Sequence, residues 1–78
     1  MIRYSELSKS QKVVIDSMRL GGKLYLDLRD TQFKILDERG FLIKVKNGTG
    51  NSLELRNFVL RTTTEDDKIF YQLNPDIS

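Results

Sequence analysis

The sequence predicts an α+β domain, an amphipathic N-terminal helix packed on a small antiparallel sheet, and three observations carry that reading. A capped apolar stripe marks a helix over about residues 8–20, and strictly alternating or β-rich runs mark strands over about 23–28, 33–36, 41–46, 58–63 and 69–73. Polar clusters with glycine or asparagine separate these runs at hairpin spacing.

The helix begins at Ser8, whose hydroxyl suits an N-cap while Gln11 stands at the N3 position of a capping box. Leu7, Val14, Ile15 and Met18 share one face, and Lys9, Lys12, Asp16 and Arg19 lie mostly on the other. Arg19 complements the negative end of the helix dipole, and Gly21-Gly22 supply the left-handed backbone that ends it. In Lys23-Leu24-Tyr25-Leu26-Asp27-Leu28 the three leucines face one way and Lys, Tyr and Asp the other, the pattern of a half-buried strand.

Residues 33–36 and 41–46 flank Asp37-Glu38-Arg39-Gly40, which predicts a hairpin with Phe41, Ile43 and Val45 toward the core and Lys44 and Lys46 toward solvent. Lys46 to Asn51 reads as turn chemistry. Residues 52–60 fit two descriptions. A short helix over about 50–56, capped from Thr49 or Asn51 and ended by Asn57 in the αL conformation, is preferred to a strand bulged near Asn57. Leu60–Thr63 and Ile69–Leu73 then predict a C-terminal hairpin around a polar tip, and Asn74-Pro75 opens a loose tail over about 75–78.

Composition narrows the chemistry. At 78 residues the chain holds one domain, and its 38% apolar content is free of Ala and Trp, so the core is built from large side chains. With no cysteine and no histidine, thiol nucleophiles, disulfides, soft metal sites and the usual hydrolase triad are set aside, and an enzyme is not expected. No catalytic residue, metal site or cofactor is assigned. Asp27 with Asp30 reads as a solvated strand end, and Glu65-Asp66-Asp67 lacks the ligand spacing of a calcium loop. Gly48-Thr49-Gly50 lacks the lysine of a P-loop, and Asn47-Gly48-Thr49 reads as a turn. No apolar run reaches the length of a membrane span and no signal sequence is evident, so the expected setting is cytoplasmic, away from membranes.

Net charge is only +2, but residues 1–46 hold ten Lys/Arg against six Asp/Glu, whereas residues 47–78 hold three against five. Lys44, Lys46, Arg56 and Arg61, with Asn47, Thr49, Asn51 and Ser52 as polar contacts, form the candidate nucleic-acid surface. A sheet edge or apolar patch that pairs with another protein or with a second copy, as a homodimer, is the alternative.

The phrase Thr49-Gly50-Asn51-Ser52-Leu53-Glu54-Leu55-Arg56-Asn57-Phe58-Val59, followed by a β-rich hairpin ending in Tyr71-Gln72-Leu73, resembles the recognition helix and wing of winged-helix domains such as those of small phage and mobile-element proteins. That resemblance implies a DNA-binding, regulatory module with its surface on the helix and the preceding lysines. The sequence departs from it at residues 31–46, which read as a hairpin where the family places a bracing helix.

Overall fold

The computed structural model describes residues 2–78. A 3-10 turn (Tyr4–Glu6) leads into α1 (Lys9–Arg19), β1 (Lys23–Asp27), β2 (Gln32–Leu36), β3 (Leu42–Val45), α2 (Asn47–Leu55), β4 (Val59–Glu65) and β5 (Lys68–Leu73). The strands form one antiparallel sheet in the order β3-β2-β1-β5-β4, so the fold is α+β. Because β3 and β4 are the two edges, α2 crosses the sheet between them.

Local chemistry forms α1 as expected. Ser8 Oγ accepts from Gln11 N–H, and the Ser8 N–H donates to Gln11 Oε1 at 2.8 Å, completing the capping box. Leu7, Val14, Ile15 and Met18 are all buried. Both helices end in Schellman motifs. Gly22 N–H donates to Ser17 O and Gly21 N–H to Met18 O, with Gly21 at φ 105°. In α2, Phe58 N–H donates to Leu53 O and Asn57 N–H to Glu54 O, with Asn57 at φ 63°. Asparagine tolerates αL better than most side chains, and this ending makes the segment before Phe58 helix and the one after it strand.

The core lies between the helices and one face of the sheet: Val14, Ile15, Leu24, Phe33, Ile35, Leu53, Phe58, Val59 and Tyr71 form its centre. At this face the sheet departs from the sequence expectations. Phe41 lies outside β3 and is exposed, and Ile43 is only partly covered, so of the three residues expected inside only Val45 is buried. The reason is lateral. Neither helix reaches over the β3 edge far enough to cover it.

The second helix also starts earlier than expected, at Asn47 rather than near residue 50, and Lys46 at its N-cap contributes no side-chain hydrogen bond. Asn47 is instead clasped by the sheet, its Oδ1 accepting from Phe33 N–H at 3.2 Å and its Nδ2 donating to Thr31 O at 2.9 Å. These contacts turn a stretch of turn formers into the first turn of a helix. Tertiary contacts here override weak helix propensity.

On the sheet face away from the helices, Tyr25 and Asp27 are buried rather than solvated. Tyr25 packs against Phe70 with ring centroids 5.6 Å apart, and Lys68 lies over its ring. The tip of the last hairpin is the two-residue turn Asp66-Asp67, both at positive φ, as a twist-matched hairpin requires. β4 extends to Glu65 with a register shift between Arg61 and Thr64. The expected loose tail is tied to the N-terminal segment by an Ile2–Ile77 bridge, with Ser78 N–H donating to Ile2 O and Tyr4 N–H to Ser78 O.

Candidate functional site

A groove of about 540 Å³ lies between α1 and the β2–β3 edge. Val14, Ile35 and Val45 form its floor, and Val13, Leu20 and Ile43 stand at its walls. Exposure is high for the apolar side chains of the groove, 62% for Val13, 69% for Leu20 and 44% for Ile43, and for Phe41 at 61% and Leu42 at 58% on the adjoining segment, outside its lining. Scattered apolar residues are ordinary on a surface, but Val13, Leu20 and Ile43 are gathered at one concavity. Charged residues of both signs, Asp16, Glu38, Arg39, Lys44 and Lys46 among them, also line it.

The groove borders an open strand. Asp37 N–H donates to Phe41 O at 2.9 Å, and Gln32 Nε2 donates to Val45 O at 2.7 Å, so the odd-numbered residues of this segment turn their backbone groups toward β2. By antiparallel alternation Leu42 and Lys44 direct theirs away from the sheet. The opposite edge, β4, is protected by its register shift and by the polar run Arg61-Thr62-Thr63-Thr64-Glu65.

The hairpin beside the groove is held by Asp37, which accepts from Arg39 N–H at 3.0 Å, from Phe41 N–H at 2.8 Å and from the Arg39 guanidinium. Burial alone would raise this carboxyl, but these hydrogen bonds and the Arg39 charge outweigh it and hold it below the usual range. Asp27 repeats the device at the end of β1. Its carboxylate, 2% exposed, takes the Arg29 guanidinium, the Arg29 N–H and Lys34 Nζ. The Arg29 hydrogen bonds hold it well below the usual carboxylate range. Lys34 also binds Asp30 at 2.8 Å, so Asp27 is buried in an ion cluster with two bases, while Asp30 stays exposed as a strand end.

No family model, curated protein or solved structure matches the chain.

Of the eight nucleic-acid candidates, four have side chains engaged within the chain. Asn47 is spent on Phe33 and Thr31, Ser52 Oγ accepts from Gln11 Nε2 at 2.7 Å, Arg56 pairs with Glu6 at 3.5 Å, and Arg61 pairs with Glu54. Lys44 and Lys46 are exposed and form no ion pair among the described residues, and Thr49 and Asn51 make no side-chain hydrogen bond there. Lys44, Lys46 and Thr49 instead line the groove.

Glu54 is the centre of a second polar cluster, paired with Arg61 and accepting from the Tyr71 hydroxyl at 3.1 Å. The Arg61 hydrogen bond lowers the Glu54 carboxyl, and burial, followed by the bond to Glu54, pushes the Tyr71 phenol up to about 12. This cluster anchors α2 to the sheet. Among the described residues no group of three or more acidic side chains is placed to hold a metal ion, and no helix is long and apolar enough to cross a membrane.

The groove residues Val13 and Leu20 escaped sequence reasoning. Their signal was there: two apolar residues seven apart on the helix, outside the stripe of Val14, Ile15 and Met18.

Proposed function

We propose that this chain is a non-enzymatic protein-interaction module that works through the groove between α1 and β3 together with the open β3 edge. The observation that carries the reading is the combination of exposed apolar side chains at Val13, Leu20, Phe41, Leu42 and Ile43 with a strand edge whose backbone groups at Leu42 and Lys44 face outward. Such an edge binds an extended segment through main-chain hydrogen bonds, and the adjacent pocket selects its side chains.

The test is methyl and amide NMR of the whole chain, titrated separately with small apolar probes such as isopropanol and with a mixed-sequence DNA duplex. Perturbation of the Val13, Leu20, Ile43 and Val45 methyls by the probes supports the reading. Silence of those methyls overturns it.

A second reading, the winged-helix-like nucleic-acid module, is favoured by one observation: Lys44 and Lys46 are exposed without an ion-pair partner beside Thr49 and the exposed Asn51. In that reading the same DNA titration perturbs residues 44–56, the effect falls steeply with added salt, and Lys44→Glu with Lys46→Glu abolishes it. Equal perturbation in that double variant removes the reading.

A further inference from the structure

We infer that the occupant of the β3 edge is a second copy of this chain, paired antiparallel about a two-fold axis through Ile43. The inference rests on the protein-interaction reading above and names its partner. Its basis is self-complementarity. A two-fold axis normal to the sheet pairs β3 with itself so that directly opposed side chains share one face.

Three registers are then available, centred on Leu42, Ile43 or Lys44. Centring on Lys44 sets the two lysines against each other, which is unfavourable for directly opposed charges. Centring on Leu42 brings Gly40 into the ladder, but its φ of 90° is not extended and its N–H already donates to Asp37 O. Centring on Ile43 opposes Leu42 to Lys44 twice. All four outward N–H groups and their carbonyls then pair, and Ile43 meets Ile43 in the closer, non-hydrogen-bonded site.

Side chains agree with that register. Phe41 of one copy falls opposite Val45 of the other on the face that holds the helices, so each exposed ring lies over the neighbouring groove. Lys46 falls opposite Gly40, which brings the Asp37–Gly40 turn of one copy beside the start of α2 in the other. Glu38 and Lys46 form no ion pair within one chain among the described residues, and here they become neighbours of opposite sign. The product is a ten-strand sheet with the protected β4 strands at its ends.

The contact is one short strand and its flanking side chains, so the dimer is weak and concentration-dependent. The chain has no cysteine, which makes cross-linking a clean measurement. A non-hydrogen-bonded antiparallel pair holds its Cα atoms about 4.5 Å apart, within disulfide reach, so Ile43→Cys should cross-link across the axis. Under mild oxidation it is expected to do so at least about tenfold faster than Leu42→Cys or a Leu55→Cys control on α2, a difference well outside ordinary collisional oxidation. Sedimentation of the native chain should show monomer and dimer in exchange, with Leu42 and Lys44 amide protection rising with concentration.

Leu42→Pro removes only an outward N–H and Ile43→Lys puts like charges on the axis, so both should be monomeric. Far-UV circular dichroism checks that each is folded. A native chain that is monomeric at about 1 mM, above the range of even weak specific pairs, overturns the second copy as occupant. If its groove methyls still respond to apolar probes, the protein-interaction reading stands and only this inference fails; if they are silent, both fail. A dimer that persists in folded Leu42→Pro, or faster cross-linking of Leu42→Cys than of Ile43→Cys, overturns the register.

Discussion

Gln11 ties the two helices together: its Oε1 closes the α1 capping box on Ser8 while its Nε2 donates to Ser52 Oγ at 2.7 Å. A buried amide with both ends occupied stabilises the packing of α1 on α2, and removing it strands Ser52 and opens the cap. Gln11→Ala should therefore lower stability by about 1–2 kcal/mol, the scale of a lost cap plus a lost hydrogen bond. Urea unfolding checks this, and a double-mutant cycle with Ser52→Ala should show coupling between the two sites.

Two glycines of α2 should respond to alanine with opposite signs. A Cβ at Gly50 would lie 2.4 Å from Phe33 Cγ, deep in the core, so Gly50→Ala should destabilise by about 1–3 kcal/mol or more despite the better helix former. At Gly48 a Cβ meets nothing within 4 Å. Gly48→Ala should stabilise by roughly 0.5 kcal/mol through helix propensity and a less flexible unfolded chain. Thermal melts of the two variants decide it.

Acid should weaken the fold through Asp27. Its carboxyl is held below its unfolded value by the Arg29 hydrogen bonds, with Lys34 adding to them, so its contribution is present above an unfolded pKa of about 4 and is lost as pH falls below it. The native unfolding midpoint should drop as pH falls from about 5 toward 2. Asp27→Asn, less stable at neutral pH, should show a shallower acid dependence.

Base should act through Tyr71. Burial and the Glu54 carboxylate push its phenol up to about 12, above an unfolded value near 10. The stabilisation is complete below about pH 10 and is lost as pH rises through the folded value. Ultraviolet titration should show a tyrosine ionising near 12 that disappears in Tyr71→Phe. That variant keeps the ring packed on Phe33, whose centroid is 5.8 Å away.

Sequence and structure agree where the determining contacts are local. Ser8 with Gln11, the stripe Val14-Ile15-Met18 and the stop at Gly21 act within a few residues, so spacing alone revealed both ends of α1 and its core face, while Asn57 supported the preferred of two readings for α2. The alternation of Leu24 and Leu26 and the glycine-closed link at Gly40 likewise announced strands and a hairpin. The candidate site was legible only in part. Lys44 and Lys46 were named for their charge, but the groove they line also needs Val13 and Leu20, whose spacing off the main stripe hints at a second apolar face without saying what it adjoins.

By itself the sequence determined the composition of the core, the α+β class and the exclusion of histidine and cysteine chemistry, because these follow from residue identity and short-range period. Tertiary structure decided the rest. It drew Asn47 into a helix by clasping it between Phe33 and Thr31, buried Asp27 beneath Arg29 and Lys34, and engaged Arg56 and Arg61 with Glu6 and Glu54. It also left β3 uncovered, because the sheet is five strands wide and the two helices do not reach across that edge.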